Sequence, residues 1–335
     1  MIASTRVTPG DGVVLGHSRE GRVVRGFRFG NGPVAVSLLA GCHADEPVGP
    51  RLLRHLAGYL STLGADDPWL HSFEWWVIPH INPDGERRNT VWAQEEAVEY
   101  DLAQYLTSAV RELPGDDVEF AFPRSATDRG ARPETRGVFD WWRTCERPFA
   151  LHLSLHSTGF AAGPWFLIEP RWRDRCTLLK QRCTEAVSVL RYLLHDVERG
   201  GEKGFHRLER GFCTRPDSVS MRAHYHALGD PTTAKQFRPS SMETIRSFGG
   251  DPLTLVSEMP LFLTPGVGKV LGPPDPAAVA WRQRIDRWRS ELLEGRDPRD
   301  VSREALREGL VPMPALDQMK LQWTLVQAGI ATVGL

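Results

Sequence analysis

The strongest pattern along the chain is a short apolar run followed by a helical one. Val34–Ala40 (VAVSLLA) is almost continuously apolar, which predicts a strand buried on both faces of an α/β sheet. It stops at Gly41. Pro47 suits a first helical turn, and Val48, Leu52, Leu53, Leu56 and Leu60 follow at helical spacing. Alternation over 13–29 predicts a hairpin, and FEWWVIP (73–79) predicts a second buried strand, so strand, helix and strand form a parallel crossover.

Further along, the spacing predicts a helix over 93–113, a loop over 114–132 and a helix over 133–145. FALHLSL (149–155) reads as an interior strand that ends at His156, and 165–169 as a shorter one. A helix over 173–194, a polar loop over 198–220 and a short helix over 240–248 come next. The strand 253–257 then delivers Glu258 at its end. After Gly266 the sheet pattern stops, and helical faces recur around 281–292, 302–310 and 316–328. The expected organisation is an α/β domain over 1–265 with a C-terminal helical extension, 266–335, packed on it.

Composition narrows the function classes. The chain has 335 residues and a net charge of −1, so it presents no overall basic surplus for nucleic acid. Five cysteines, none in a CxxC pair, fit reduced thiols. Neither a leader-like start nor a run long enough to span a bilayer is evident, so the expectation is a soluble, cytoplasmic protein with no membrane partner.

Candidate chemistry gathers where strands give way to loops. His43 and Glu46 stand at the strand-to-helix junction, on the side where open α/β sheets bind ligands, and can offer one nitrogen and one carboxylate to a Zn²⁺ ion. Spacing alone does not establish this, because His17, His71, His195 and His206 also carry Glu three residues later. Only the His43 pair lies between a buried strand and a proline-started helix. Its neighbour Cys42 reads as a small buried residue behind the site. His156 and Glu258 occupy equivalent strand-end positions. Two His and one Glu with an open fourth position is the make-up of a catalytic zinc site, and a separate Glu can move the proton of the attacking water.

Taken in order, GHSREGR, GCHADEP, INPDGERRN, YDL (Tyr100 to Leu102), RPETRGV, SLHS and TLVSEMP resemble the zinc carboxypeptidase family over roughly residues 14 to 262. The resemblance implies a three-layer α/β/α sandwich on a mixed, mostly parallel sheet, with residues 1–265 as the catalytic domain. It implies Zn²⁺ on His43, Glu46 and His156, zinc-bound water activated by Glu258, and a peptide substrate. It also implies an arginine after the NPDG turn that polarises the scissile carbonyl, which Arg88 fits, with Arg87 as the alternative. Asp101, in the DLNR-like segment, would accept a hydrogen bond from the first zinc histidine.

Two departures bear on specificity. Where the family places an Asn-Arg pair that grips a terminal carboxylate, that register holds Ala103 and Gln104. The family's mobile tyrosine has no counterpart, with Phe237 nearest and Tyr225 further back. Arg124, Arg129, Arg132, Arg222 and Arg238 are the candidates to supply the charge from elsewhere. The alternatives are an N-acyl amino acid deacylase of the aspartoacylase and succinylglutamate desuccinylase type, and a non-catalytic binding protein; retention of Glu258 argues against the latter.

Overall fold

The computed structural model describes residues 12–334. The reading of the extreme N-terminus as lacking a leader concerns residues outside that range. Ten strands form one sheet: β1 (Val13–His17), β2 (Val23–Phe29), β3 (Val34–Ala40), β4 (Phe73–Ile78), β5 (Phe149–Ala161), β6 (Trp165–Ile168), β7 (Arg207–Glu209), β8 (Phe212–Thr214), β9 (Leu253–Leu263) and β10 (Val311–Pro312). Their order is β1-β2-β4-β3-β5-β9-β6-β8-β7, with β10 beside β9. The central β4-β3-β5-β9 ladder is parallel, and the hairpin and the β6 side add antiparallel pairs.

Helices cover both faces. On one, Val36, Leu38 and Leu153 pack with Leu52, Leu53 and Leu56 of helix Val48–Ser61, Leu179 of helix Thr177–Val189 and Leu325 of helix Ala315–Thr332. On the other, Leu39 and Trp76 pack with Val138 and Trp142 of helix Pro133–Trp142 and Ile245 of helix Ser241–Ser247. This is the expected α/β sandwich. Burying each of those leucines stabilises the fold by roughly 1.5–3 kcal/mol. Helix Val48–Ser61 lies so close to β5 that a Cβ at Gly49 would sit 2.5 Å from the Leu155 carbonyl oxygen, so Gly49→Ala would force the two apart.

The C-terminal residues are woven into this core. Helix Ala315–Thr332 contributes Leu321, Leu325 and Val326 to the larger cluster, and β10 pairs with β9. Several sequence-based boundaries shift. The helix expected over 93–113 is confined to Leu102–Ser108, the one over 173–194 divides into a 3-10 turn (Pro170–Arg175) and Thr177–Val189, and the loop expected over 198–220 contains β7 and β8.

The largest difference concerns β5 and β9. Both were expected to stop beside their chemical residues, yet they run on together, pairing Ser157 with Met259 and Phe160 with Phe262. β3 ends at Ala40, opposite Leu155. His156 is therefore the first β5 residue beyond the edge of β3, and Glu258 is its register partner on β9. The two stand on a ledge left where the neighbouring strand stops. Alternation alone could not show that the strands continue, because the ledge is created by a neighbour's length.

Candidate metal centre

Gly41 ends β3 with φ +73°, a conformation that suits glycine, and a Cβ there would collide with the His80 ring. The chain turns and carries His43 and Glu46 over the ledge. The Glu46 carboxylate lies between the two histidines: Oε1 is 2.8 Å from His43 Nδ1, and Oε2 is 2.8 Å from His156 Nδ1. The two Nδ1 atoms are 3.1 Å apart. Tetrahedral zinc with bonds near 2.0–2.2 Å would hold its donors about 3.3–3.5 Å apart. The set would need to open by about 0.2–0.7 Å to reach that spacing, and its chemistry, two imidazole nitrogens and one carboxylate, suits zinc.

Electrostatics agree with that use. Burial opposes ionisation of Glu46, but the adjoining His43 and His156 outweigh it and hold the carboxyl well below its usual range. For Glu258 burial first, and the Glu46 charge second, outweigh the lowering effect of His156, His43 and Arg111 and push it up to about 7.

The structure does not bring Arg88 or Asp101 to this cluster. Arg88 is exposed on helix Pro83–Asn89 and pairs with Glu20; Arg87 is exposed on the same helix. Asp101 is exposed, and its carboxylate accepts the Gln104 N–H at 2.8 Å. It caps helix Leu102–Ser108, whose first amides need an acceptor. Cys42 is buried as expected, among Leu39, Val118 and Phe122.

Other residues meet the cluster, among them two charged ones not anticipated from the sequence. Arg111, 44 % exposed, donates from Nη1 to Asp45 and Glu46 at 3.1 Å each. Asn89 holds the segment that carries it, accepting from the Val110 N–H and donating to the Val110 and Ala44 carbonyls. Asn82 contributes as well, donating to Glu112, whose other oxygen faces the Ala44 amide. The NPDG turn therefore acts as a fastening between the zinc turn and the Arg111 segment.

The second is Glu119, 3 % exposed and 3.2 Å from His156 Nε2. One sequence signal could have found it: Asp117-Val118 repeats the Asp-aliphatic pattern to which Asp101-Leu102 was matched. In that register Glu119 and Phe120 fall where the Asn-Arg pair would stand. Gln322 was missed too. It is fully buried on helix Ala315–Thr332 and donates to the His156 carbonyl at 3.2 Å, tying the C-terminal helix to the ledge.

The arginines considered as replacement anchors have other partners. Arg124 and Arg222 both donate to the Phe237 carbonyl, Arg132 pairs with Glu134, and Arg238 pairs with Asp128. Arg129 lines a separate surface cavity with Asp128 and Arg136. Phe237 is buried between Phe120 and Tyr225.

The chain resembles known proteins in sequence and in fold. Residues 11–167 match the family described as zinc carboxypeptidase, a stretch that contains His43, Glu46 and His156 and stops short of Glu258. No curated protein matches the sequence. Among solved structures, carboxypeptidase A from Helicoverpa armigera aligns at 15% identity with a TM-score of 0.50, over 98% of this chain and 69% of that one. A provisionally designated metallopeptidase from Shewanella amazonensis aligns at 13% identity and TM-score 0.49, over 94% and 85%. A metallo-carboxypeptidase from Burkholderia cenocepacia aligns at 15% and 0.46, over 97% and 65%. Of these three, the Helicoverpa alignment, at a TM-score of 0.50 and 15% identity, speaks for the fold alone; the family match supports a zinc metallopeptidase resembling the carboxypeptidases, with Zn²⁺ as its metal. No helix among the described residues is long and apolar enough to cross a membrane.

Proposed function

Starting from that class, we propose that the chain hydrolyses amide bonds of peptide-like substrates, with His43, Glu46 and His156 holding zinc and Glu258 as general base. The observation that carries this reading is the convergence of those three donors beside a register-paired glutamate. Zinc bound there supplies Lewis acidity to the scissile carbonyl and to water. Glu258, with a pKa near neutrality, is suited to take a proton from the attacking water and return it to the leaving amine.

Arg111 is the reading's choice for the carbonyl-polarising arginine, in place of Arg88. It is the guanidinium that touches the metal-competent carboxylate, and the Asn89 fastening fixes its backbone. Turned towards substrate, it would stabilise the developing oxyanion. The engagement of Arg124, Arg132, Arg222 and Arg238 elsewhere supports a site that reads the amide and places less weight on a free terminal carboxylate. The five free cysteines support a reducing, cytoplasmic setting.

The test combines zinc stoichiometry with hydrolysis of matched peptides bearing free or amidated carboxyl ends, and of N-acyl amino acids, with and without chelator. Zinc at one per chain and chelator-sensitive cleavage of both peptides is the expected result. Cleavage of N-acyl amino acids alone would favour the deacylase, and zinc binding without hydrolysis the binding protein.

A further inference from the structure

On one face of β5, His152, Ser154 and His156 form a buried polar line, and Glu119 closes over it. Its Oε2 lies 3.2 Å from His156 Nε2 and accepts from the Ser154 hydroxyl at 3.3 Å, while Ser154 Oγ is 2.8 Å from the same Nε2. Oε1 accepts from the Ser241 backbone N–H at 3.3 Å and from its hydroxyl at 3.2 Å. Both carboxylate oxygens are thus held by donors from helix Ser241–Ser247 and β5, and the group is closed to solvent.

The hydrogens in this cluster admit one consistent arrangement. An ionised carboxylate only accepts, so its 3.2 Å approach to His156 Nε2 calls for a proton on that nitrogen, and Ser154, giving its single hydroxyl proton to Glu119, is left to accept from His156. Nε2 must then carry a proton, shared between Glu119 and Ser154. The other ring nitrogen, Nδ1, is the one facing Glu46 and His43.

We infer that Glu119 is a positioning residue for the metal centre: it retains the proton on His156 Nε2 and fixes the ring, so that Nδ1 is the nitrogen offered to the metal. A carboxylate behind a ligating imidazole sets its tautomer and raises its basicity. Glu119 touches neither substrate nor metal in this role. Cys42, close to the same Nε2 side, is kept from competing because its partner nitrogen is protonated.

The inference rests on the zinc assignment made above, and zinc affinity measured by chelator competition separates the two. Glu119→Ala is expected to weaken zinc binding about 10- to 100-fold. Glu119→Gln, which keeps an oxygen able to accept the Nε2 proton, should recover most of that loss. Leu153→Ala, a core truncation on the opposite face of β5, should lower the unfolding temperature and leave zinc affinity unchanged. Zinc affinity in Glu119→Ala within twofold of the parent would overturn the inference. A parent that binds no zinc would instead overturn the site assignment itself. In the zinc-loaded parent, the His156 Nε2 proton should give a slowly exchanging nuclear magnetic resonance signal, and free exchange with solvent would also overturn the inference, even if Glu119→Ala did not fold.

Discussion

His152 and His156 lie on the same face of the same strand, both are buried, and their surroundings drive them in opposite directions. His152 is bracketed by hydroxyls, Ser37 at 3.0 Å and Ser241 at 3.2 Å, with the Trp142 ring edge-on beside it. Burial pushes it down to about 3, so it stays neutral. His156 suffers the same burial, but Glu46 foremost and then contacts including Glu119 raise it well above the ordinary histidine value. Hydroxyls satisfy a ring without favouring its charge, whereas carboxylates create a site for positive charge. Burial alone therefore makes a structural histidine, and burial among carboxylates makes one suited to a cation.

The sharpest break of this contrast is at the metal. His156→Ala should lose stoichiometric zinc and all measurable hydrolysis, whereas His152→Asn should retain zinc, as checked by metal analysis of purified protein. Equal zinc in both would erase the distinction. Next in size is Glu258→Gln, on the residue paired with His156. It should keep zinc and lose about 10²- to 10⁴-fold in kcat, read from steady-state kinetics.

Arg111→Ala, at the Glu46 oxygen that also faces His43, should lower kcat by about 10²- to 10³-fold with KM changed less, as for loss of one oxyanion donor. Arg88→Ala should stay near the parent; a larger loss there would return the role to Arg88.

The acid side of stability tests His152 directly. Its folded pKa, about 3, lies below an unfolded value near 6.5, so between those values the unfolded chain binds the extra proton. Stability from this group is full above about pH 6.5 and falls as pH drops towards 3. The unfolding temperature of the parent should thus decline over this window, and His152→Asn should decline less steeply. Parallel curves would refute a neutral buried His152. The smallest effect belongs to a carboxylate outside the polar line. Asp101→Ala should cost about 1 kcal/mol of stability as a lost helix cap and leave zinc affinity unchanged.

The sequence by itself determined the elements whose signals are local. Continuous apolar runs marked β3 and β4 because a strand covered on both faces has no polar side, and Pro47 with the leucine spacing marked the helix behind the zinc turn. His43, Glu46, His156 and Glu258 were legible as candidates for the same reason, each flanking or ending a recognisable run. Tertiary structure alone decided the rest. That β3 stops one residue short of His156 while β5 and β9 continue depends on three strand lengths compared side by side. Arg111 and Glu119 sit in a segment with little regular structure, and only packing against Asn89, β5 and Ser241 brings them to the metal turn. Asp101 carried the more literal motif, yet its carboxylate is engaged by the start of its own helix. A backbone amide three residues away was the nearer partner, and chain proximity took precedence over resemblance.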